Sequence, residues 1–140
     1  MRAAAVVDTN VVAYYVLGTE PHRDECAAFL RGGLELVAPA SWEAELVNVV
    51  WLAVRHGVLD VAEGMERLRL AGALGIRSVP AATLWQGALA RAVAHEHPAY
   101  DTLFVELAVR DNCPLATFDE KLLKIFPAIA LRPRALAIRT

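Results

Sequence analysis

Residues 6–12 read V-V-D-T-N-V-V, which places the carboxylate of Asp8 inside an apolar stretch of the chain. The run R-A-A-A-V-V at residues 2–7 leads into Asp8 and is continuously apolar after its first residue. A short, unbroken apolar run is typical of a strand that is buried on both faces of a parallel sheet. We therefore predict a buried parallel strand that ends at Asp8.

The rest of the chain alternates short apolar runs with segments of helical pattern. Further strands are predicted at 34–38, 76–79, 115–117 and 128–131. Helices are predicted at 10–17, 21–30, 42–56, 83–96, 100–111 and 119–125, and a further helix starts at Asp60 and ends near Gly72 or Gly75. Ser41 is the predicted N-cap of the third helix, and Asp60 with Glu63 predicts a capping box at the start of the fourth. This alternation predicts a three-layer α/β/α fold with a mainly parallel central sheet of four to five strands. No repeat or linker divides the chain, so residues 1–140 are predicted to form a single domain.

Composition and charge exclude several classes of function. The net charge of −2 gives no overall nucleic-acid signature. The two cysteines lack the spacing of a zinc site and indicate a reducing compartment. Neither a signal peptide nor an apolar stretch of about 18 residues is visible, so we expect a cytoplasmic protein without a membrane span.

The distribution of basic residues and the high content of apolar residues both indicate binding partners. Residues 121–140 carry five basic side chains and no acidic one, which makes this segment a candidate anion-binding strip or a merely solvated tail. The chain is 56% hydrophobic with a mean hydropathy of +0.38, which is high for a small monomer. The excess of apolar residues predicts a surface that a partner or a second copy covers.

Acidic side chains are predicted to gather at one edge of the sheet. Asp8 closes the first strand, and Asp119 follows the short strand 115–117. The carboxyl ends of parallel strands line the crevice where α/β domains bind ligands. Asp101 lies in the first turn of a predicted helix, on its apolar face. Taken singly, each aspartate has a structural interpretation as a helix N-cap, which is worth about 1 kcal/mol.

Taken together, these acids need a counter-charge, because buried carboxylates repel one another and lose hydration. No lysine occurs before residue 121, and no basic residue adjoins Asp8 or Asp101 in the sequence. A hard divalent cation is the economical solution, with Mg²⁺ preferred and Mn²⁺ as a possible substitute. His95 and His97 are interpreted as surface residues, since no cysteine or further histidine lies near them.

Four motifs, in this order, resemble those of PIN domains: V-V-D-T-N at 6–10, E-L-V-N-V-V at 45–50, Y-D-T-L-F-V-E-L-A at 100–108 and P-L-A-T-F-D-E-K-L at 114–122. Their order and spacing are most similar to the VapC-type ribonuclease toxins of bacterial and archaeal toxin–antitoxin pairs. The resemblance covers about residues 5–131, nearly the whole chain.

The resemblance implies a set of site residues. Helical periodicity alone fits Glu43 and Glu45 equally well, but the E-x-x-N step of the family matches Glu45. Asn10 and Thr117 match positions that support the acids by hydrogen bonds. The acidic residues that the resemblance implies as catalytic and metal-binding are Asp8, Glu45, Asp101 and Asp119.

The implied activity is that of a Mg²⁺-dependent endoribonuclease. Metal-activated water would hydrolyse RNA phosphodiesters to 5′-phosphate and 3′-hydroxyl ends. The implied partners are RNA, a VapB-like antitoxin that covers an apolar groove, and a second copy in a homodimer. Helices 10–17 and 42–54 are candidates for the covered surface. Phosphate contacts are expected from Lys121, Lys124, Arg132, Arg134 and Arg110. The three tryptophans, Trp42, Trp51 and Trp85, are expected in the core or at an interface.

Two alternatives remain open from the sequence. One is an aspartate-based phosphoryl-transfer domain of receiver or haloacid-dehalogenase type. The dehalogenase type requires a second aspartate where Asn10 stands, and both types require a lysine late in the sheet. The other is a non-catalytic PIN module that binds RNA or protein, against which the presence of all four acids argues.

Overall fold

The computed structural model describes residues 3–137, which form five strands and eight α-helices. The strands are β1 (Ala4–Val7), β2 (Glu35–Pro39), β3 (Arg77–Val79), β4 (Leu115–Ala116) and β5 (Ala130–Leu131). The helices are α1 (Thr9–Leu17), α2 (Arg23–Leu30), α3 (Ser41–Arg55), α4 (Val61–Gly72), α5 (Trp85–His95), α6 (Ala99–Arg110), α7 (Glu120–Ile125) and α8 (Pro133–Ala137).

The five strands form one parallel sheet in the order β3-β2-β1-β4-β5, which confirms the predicted α/β fold class. β1 lies at its centre, and its residues 5–7 are at most 1% exposed. This burial explains why the strand is continuously apolar. Val7 pairs with Ala116 of β4, so Asp8 and Thr117 leave the sheet at the same edge.

Helices cover both faces of the sheet. On one side α1 packs against α2, α3 and α4. On the other, α6 packs against α5 and against strands β1, β2 and β4. Because crossovers between parallel strands are right-handed, the chain must change faces when it passes from β3 at the edge to β4 beyond β1. Among residues 3–137, no helix combines the length and apolar character that crossing a membrane requires.

Two local predictions have different outcomes. The capping box is confirmed, since Asp60 accepts a hydrogen bond from the Glu63 amide and the Glu63 side chain accepts one from the Asp60 amide. The Ser41 prediction is wrong, because Ala40 occupies the N-cap position and Ser41 is already helical. Its buried hydroxyl oxygen has no hydrogen-bond partner among residues 3–137.

Helix α8 was not predicted from the sequence, and a long-range contact accounts for it. Glu25 on α2 accepts hydrogen bonds from the Arg132 guanidinium at 2.7 and 3.2 Å and from the Arg134 amide at 3.1 Å. These bonds hold the start of α8 against α2. No local sequence pattern reports a partner that is 107 positions away.

Candidate metal centre

Asp8 combines a structural contact with a position in the candidate site. It follows β1, and its Oδ1 atom caps α1 by accepting a hydrogen bond from the Thr9 amide at 2.7 Å. Its Oδ2 atom accepts one from the Thr117 hydroxyl at 2.8 Å. Only 7% of Asp8 is exposed. The N-cap interpretation is therefore correct for one oxygen, while the other faces the edge of the sheet where β4 ends.

Thr117 and Asn10 make the contacts that a supporting role requires. The buried Thr117 hydroxyl donates to Asp8 and accepts from the Asp119 amide at 2.9 Å, which joins the ends of β1 and β4. The Asn10 side-chain amide lies 3.4 Å from Asp8 Oδ2, and its carbonyl oxygen accepts from the Phe118 amide. Both residues thereby restrict the orientation of the Asp8 carboxylate.

The structure distinguishes Glu45 from Glu43, which sequence periodicity alone does not. Glu45 is half-buried on α3 and accepts a hydrogen bond from the Thr9 hydroxyl at 3.1 Å, beside Asp8. Glu43 is exposed and accepts one from the Ser78 hydroxyl at 2.8 Å, next to β3. Glu45 is therefore the α3 carboxylate that lies beside the Asp8 cluster.

Asp101, Asp119 and His97 form the second part of the site. One ligand atom from each of these three side chains lies within 4.8 Å of the other two. Asp119 Oδ1 caps α7 by accepting from the amides of Lys121 and Leu122. His97 Nε2 lies 2.8 Å from Asp101 Oδ2.

The interpretation of His97 as a surface residue is wrong, because it is buried. The zinc-pair interpretation of His95 and His97 considers only cysteines and histidines, and so leaves out Asp101, four residues after His97. The signal that predicts the contact is the four-residue spacing between His97 and Asp101 at the start of a helix, where Pro98 is the N-cap. His95 is exposed, and its ring packs against Phe126.

The acids are close enough to change one another's protonation. Burial raises the pKa of Asp8 from 3.8 to about 7; the Thr117 hydrogen bond opposes this shift, and the charges of Asp101 and Glu45 add to it. Burial also raises the pKa of Glu45, with a further contribution from the Asp101 charge. Among residues 3–137, no lysine or arginine forms an ion pair with any of the four acids that sequence analysis selected. The site therefore carries negative charge that only protons or bound cations neutralise.

Residues 5–126 match the PIN domain family. The chain belongs to this family. PIN domains are generally metal-dependent nucleases. No curated protein matches the chain.

The side chains at the site of this PIN domain fit a divalent metal ion. They offer carboxylate oxygens, which are the preferred ligands of hard cations, together with one imidazole. The raised pKa of Asp8 shows that burial already disfavours its charged form, so a cation would recover that free energy. Which acids bind a metal stays a prediction.

The basic side chains that are expected to contact RNA differ in whether they are exposed or already paired within the chain. Lys121, Lys124 and Arg134 are exposed. Arg132 is held by Glu25, and its guanidinium lies 4.5 Å from the centre of the Phe118 ring. Arg110 pairs with Glu106 at 2.8 Å and also donates to the carbonyl of Thr83. Two of the five side chains are thus engaged within the chain, and RNA binding by any of them stays a prediction.

Proposed function

We propose that this PIN domain is a Mg²⁺-dependent endoribonuclease and the toxin of a VapBC-type toxin–antitoxin pair. It hydrolyses RNA phosphodiesters to leave 5′-phosphate and 3′-hydroxyl ends. The observation that carries the proposal is the buried Asp8 carboxylate beside Glu45 and Asp101, with no lysine or arginine paired to it among residues 3–137. Residues 1–140 act as one domain, in the cytoplasm.

The residues of the site have distinct roles in this proposal. Asp8, Glu45, Asp101 and Asp119 hold the cation, and Mn²⁺ substitutes for Mg²⁺ because both accept carboxylate oxygens. A bound divalent ion supplies Lewis-acid chemistry, lowering the pKa of water and offsetting phosphate charge. Thr117 and Asn10 fix the orientation of Asp8 by the hydrogen bonds described above.

Substrate binding follows from the same electrostatics. Unneutralised carboxylates repel an RNA phosphate, so the chain's own acids exclude substrate until a cation is bound. The exposed side chains of Lys121, Lys124 and Arg134 lie on the segment that follows Asp119. They would contribute sequence-independent contacts to the RNA backbone.

The antitoxin and a second copy of the chain require apolar surface. The valines of α1 are buried in the core of this chain, so helix 10–17 offers a partner only its partly exposed apolar side chains, Tyr14, Tyr15 and Leu17. Helix α3 exposes three large apolar side chains, namely Val47, Trp51 and Leu52. Of the two candidate helices, α3 therefore offers the larger exposed apolar surface to a partner. Trp42 is buried, in line with the core prediction, whereas Trp51 and Trp85 are exposed.

A cleavage assay tests the enzymatic part of the proposal. The purified chain is incubated with structured RNA and Mg²⁺, then with excess chelator, and product ends are identified by their acceptance in 5′-phosphate-dependent ligation. We expect cleavage that chelator abolishes and that Asp8→Asn reduces at least about a hundredfold. Cleavage that persists in chelator or in Asp8→Asn would show that the activity belongs to a contaminant.

A growth assay tests the toxin part separately. Expression of the chain in a bacterium should arrest growth, and co-expression of the protein encoded by the adjacent reading frame should relieve the arrest. An Asp8→Asn chain that is equally toxic would contradict the proposal, because the toxicity would then not require the acidic site.

The two alternatives are less compatible with the site. Phosphoryl transfer through an aspartate requires a lysine side chain at the acids, and among residues 3–137 neither Lys121 nor Lys124 forms an ion pair with them; Lys121 donates to Asp119 only through its backbone amide. A non-catalytic binding module predicts no cleavage with any divalent ion, so the cleavage assay decides between that alternative and the nuclease.

A further inference from the structure

His97 has a defined place at the candidate metal centre. Its side chain is only 4% exposed, and its Nε2 atom lies 2.8 Å from Asp101 Oδ2. A carboxylate oxygen has no proton to donate, so Nε2 carries the proton and donates the hydrogen bond. This leaves the other oxygen of Asp101 outside the contact.

The backbone on both sides of His97 fixes where its ring can lie. Helix α5 ends at His95 and is followed by Glu96, which adopts a left-handed conformation with φ of 50°. The His97 amide donates to the carbonyl of Ala92 at 3.1 Å, and the next residue, Pro98, is the N-cap of α6. The Thr102 hydroxyl of α6 donates to the carbonyl of Ala88 on α5 at 2.7 Å, which joins the two helices directly. The imidazole is therefore presented to Asp101 by a helix junction that these hydrogen bonds hold together.

Asp101 is the acid that connects the two parts of the site. A ligand atom of its side chain lies within 4.8 Å of one on Asp119. Its charge also raises the pKa values of Asp8 and Glu45. Asp101 is 29% exposed at its side chain, so burial alone does not hold its carboxylate in one orientation. The His97 contact is the side-chain hydrogen bond that does so among residues 3–137.

We propose that His97 is a positioning residue of the metal centre, which holds one oxygen of Asp101 so that the other is available to the cation. The inference rests on the proposed function, since it concerns the same site, but it adds a residue that the acidic motifs do not include. A hydrogen bond to an ionised carboxylate is a strong one, and it fixes the Asp101 rotamer before the cation arrives. Groups that hold metal-binding carboxylates contribute about 10- to 100-fold to metal affinity.

Substitutions of different hydrogen-bonding capacity test this role. His97→Leu removes the donor and keeps an apolar side chain of moderate size in the buried position. His97→Gln supplies an amide N–H that can donate to the same Asp101 oxygen. His56→Gln is the matched control, because His56 is exposed at the C-terminal end of α3. Circular dichroism and thermal unfolding of each purified full-length chain establish that it is folded.

The first measurement is the dissociation constant for Mn²⁺ alone, obtained by calorimetry without RNA. We expect His97→Leu to weaken Mn²⁺ binding about 10- to 100-fold. We expect His97→Gln to bind within about threefold of the unsubstituted chain, because it restores the donor, and His56→Gln to be unchanged. Unchanged affinity in His97→Leu would overturn the proposal. Equal weakening in His97→Gln and His97→Leu would also overturn it, since the ring itself would then be the metal ligand.

RNA cleavage as a function of Mg²⁺ concentration separates this inference from the proposed function. Positioning predicts that His97→Leu raises the Mg²⁺ concentration for half-maximal cleavage and regains most of its rate at saturating Mg²⁺. If the unsubstituted chain binds Mn²⁺ but cuts no RNA, the ribonuclease proposal fails while the calorimetric result for His97 stands. If the chain cuts RNA and His97→Leu leaves both readouts unchanged, the His97 inference alone fails.

Discussion

Replacing Asp8 by asparagine should stabilise the metal-free protein at neutral pH while it removes function. Asparagine has nearly the same shape as aspartate and carries no charge. Burial is the largest cause of the raised pKa of Asp8, and the charges of Asp101 and Glu45 contribute further. The substitution relieves these costs and retains the hydrogen bond from the Thr9 amide to the side-chain oxygen. Asparagine caps helices about as well as aspartate does, so the capping of α1 does not by itself account for the charge at this position.

The magnitude follows from the difference in proton binding between the folded and unfolded chains. The pKa of Asp8 is raised from 3.8 to about 7 in the folded chain. Between these values the folded chain holds a proton that the unfolded chain has lost, so the free energy of unfolding falls as pH rises and levels off above pH 7. Three pH units at about 1.36 kcal/mol per unit give a loss on the order of 4 kcal/mol. The Asp8→Asn chain lacks this loss.

Urea unfolding of both chains in excess chelator, at intervals between pH 4 and pH 8, measures the effect. We expect the stability of Asp8→Asn relative to the unsubstituted chain to increase through this range by several kcal/mol. Any misfit of the asparagine amide against the Thr117 hydroxyl shifts the whole curve without changing its slope. Adding Mg²⁺ should stabilise the unsubstituted chain, and Asp8→Asn much less. A difference between the two chains that does not vary with pH would refute the reasoning.

Two further predictions use matched pairs of substitutions. Gly87→Ala should destabilise the fold by about 1–3 kcal/mol, because a Cβ atom there would lie 2.3–2.5 Å from the Glu106 carboxylate, which two arginines hold in place. Gly72→Ala, where the added atom meets nothing within 4 Å, should instead stabilise by about 0.5 kcal/mol in the same denaturant assay; equal effects would contradict the steric argument. Glu45→Gln should weaken Mn²⁺ binding and RNA cleavage at least about tenfold, whereas Glu43→Gln should leave both unchanged. If calorimetry showed weaker Mn²⁺ binding in Glu43→Gln than in Glu45→Gln, the metal ligand on α3 would be Glu43 and our prediction would be wrong.

The parts of the fold that follow from local pattern were predictable from the sequence. The apolar run before Asp8 identifies a buried strand because a strand covered on both faces cannot alternate polar and apolar side chains. The capping box at Asp60 was also predictable from local pattern, because both of its partners lie within one helical turn. The start of α8 was not, because the carboxylate that holds it is Glu25, far away in the sequence. Helix propensity depends only on the residues of a segment itself. It therefore does not predict a terminal helix that long-range hydrogen bonds hold in place.

The acids of the site show why single-residue interpretations underestimated it. An aspartate between a strand and a helix is most often an N-cap, and both Asp8 and Asp119 do cap helices. Capping uses only Oδ1 of each, while a carboxylate offers about four lone-pair sites on two oxygens. Helix capping therefore does not compete with metal binding; it fixes the carboxylate at the end of the strand and leaves acceptor capacity on the other oxygen.

His97 is missing from the predicted site because the sequence was interpreted one residue at a time, and His97 was considered only as a metal ligand itself. Its observed contact is with Asp101, so its contribution is visible only when the acid and the imidazole are considered as a pair.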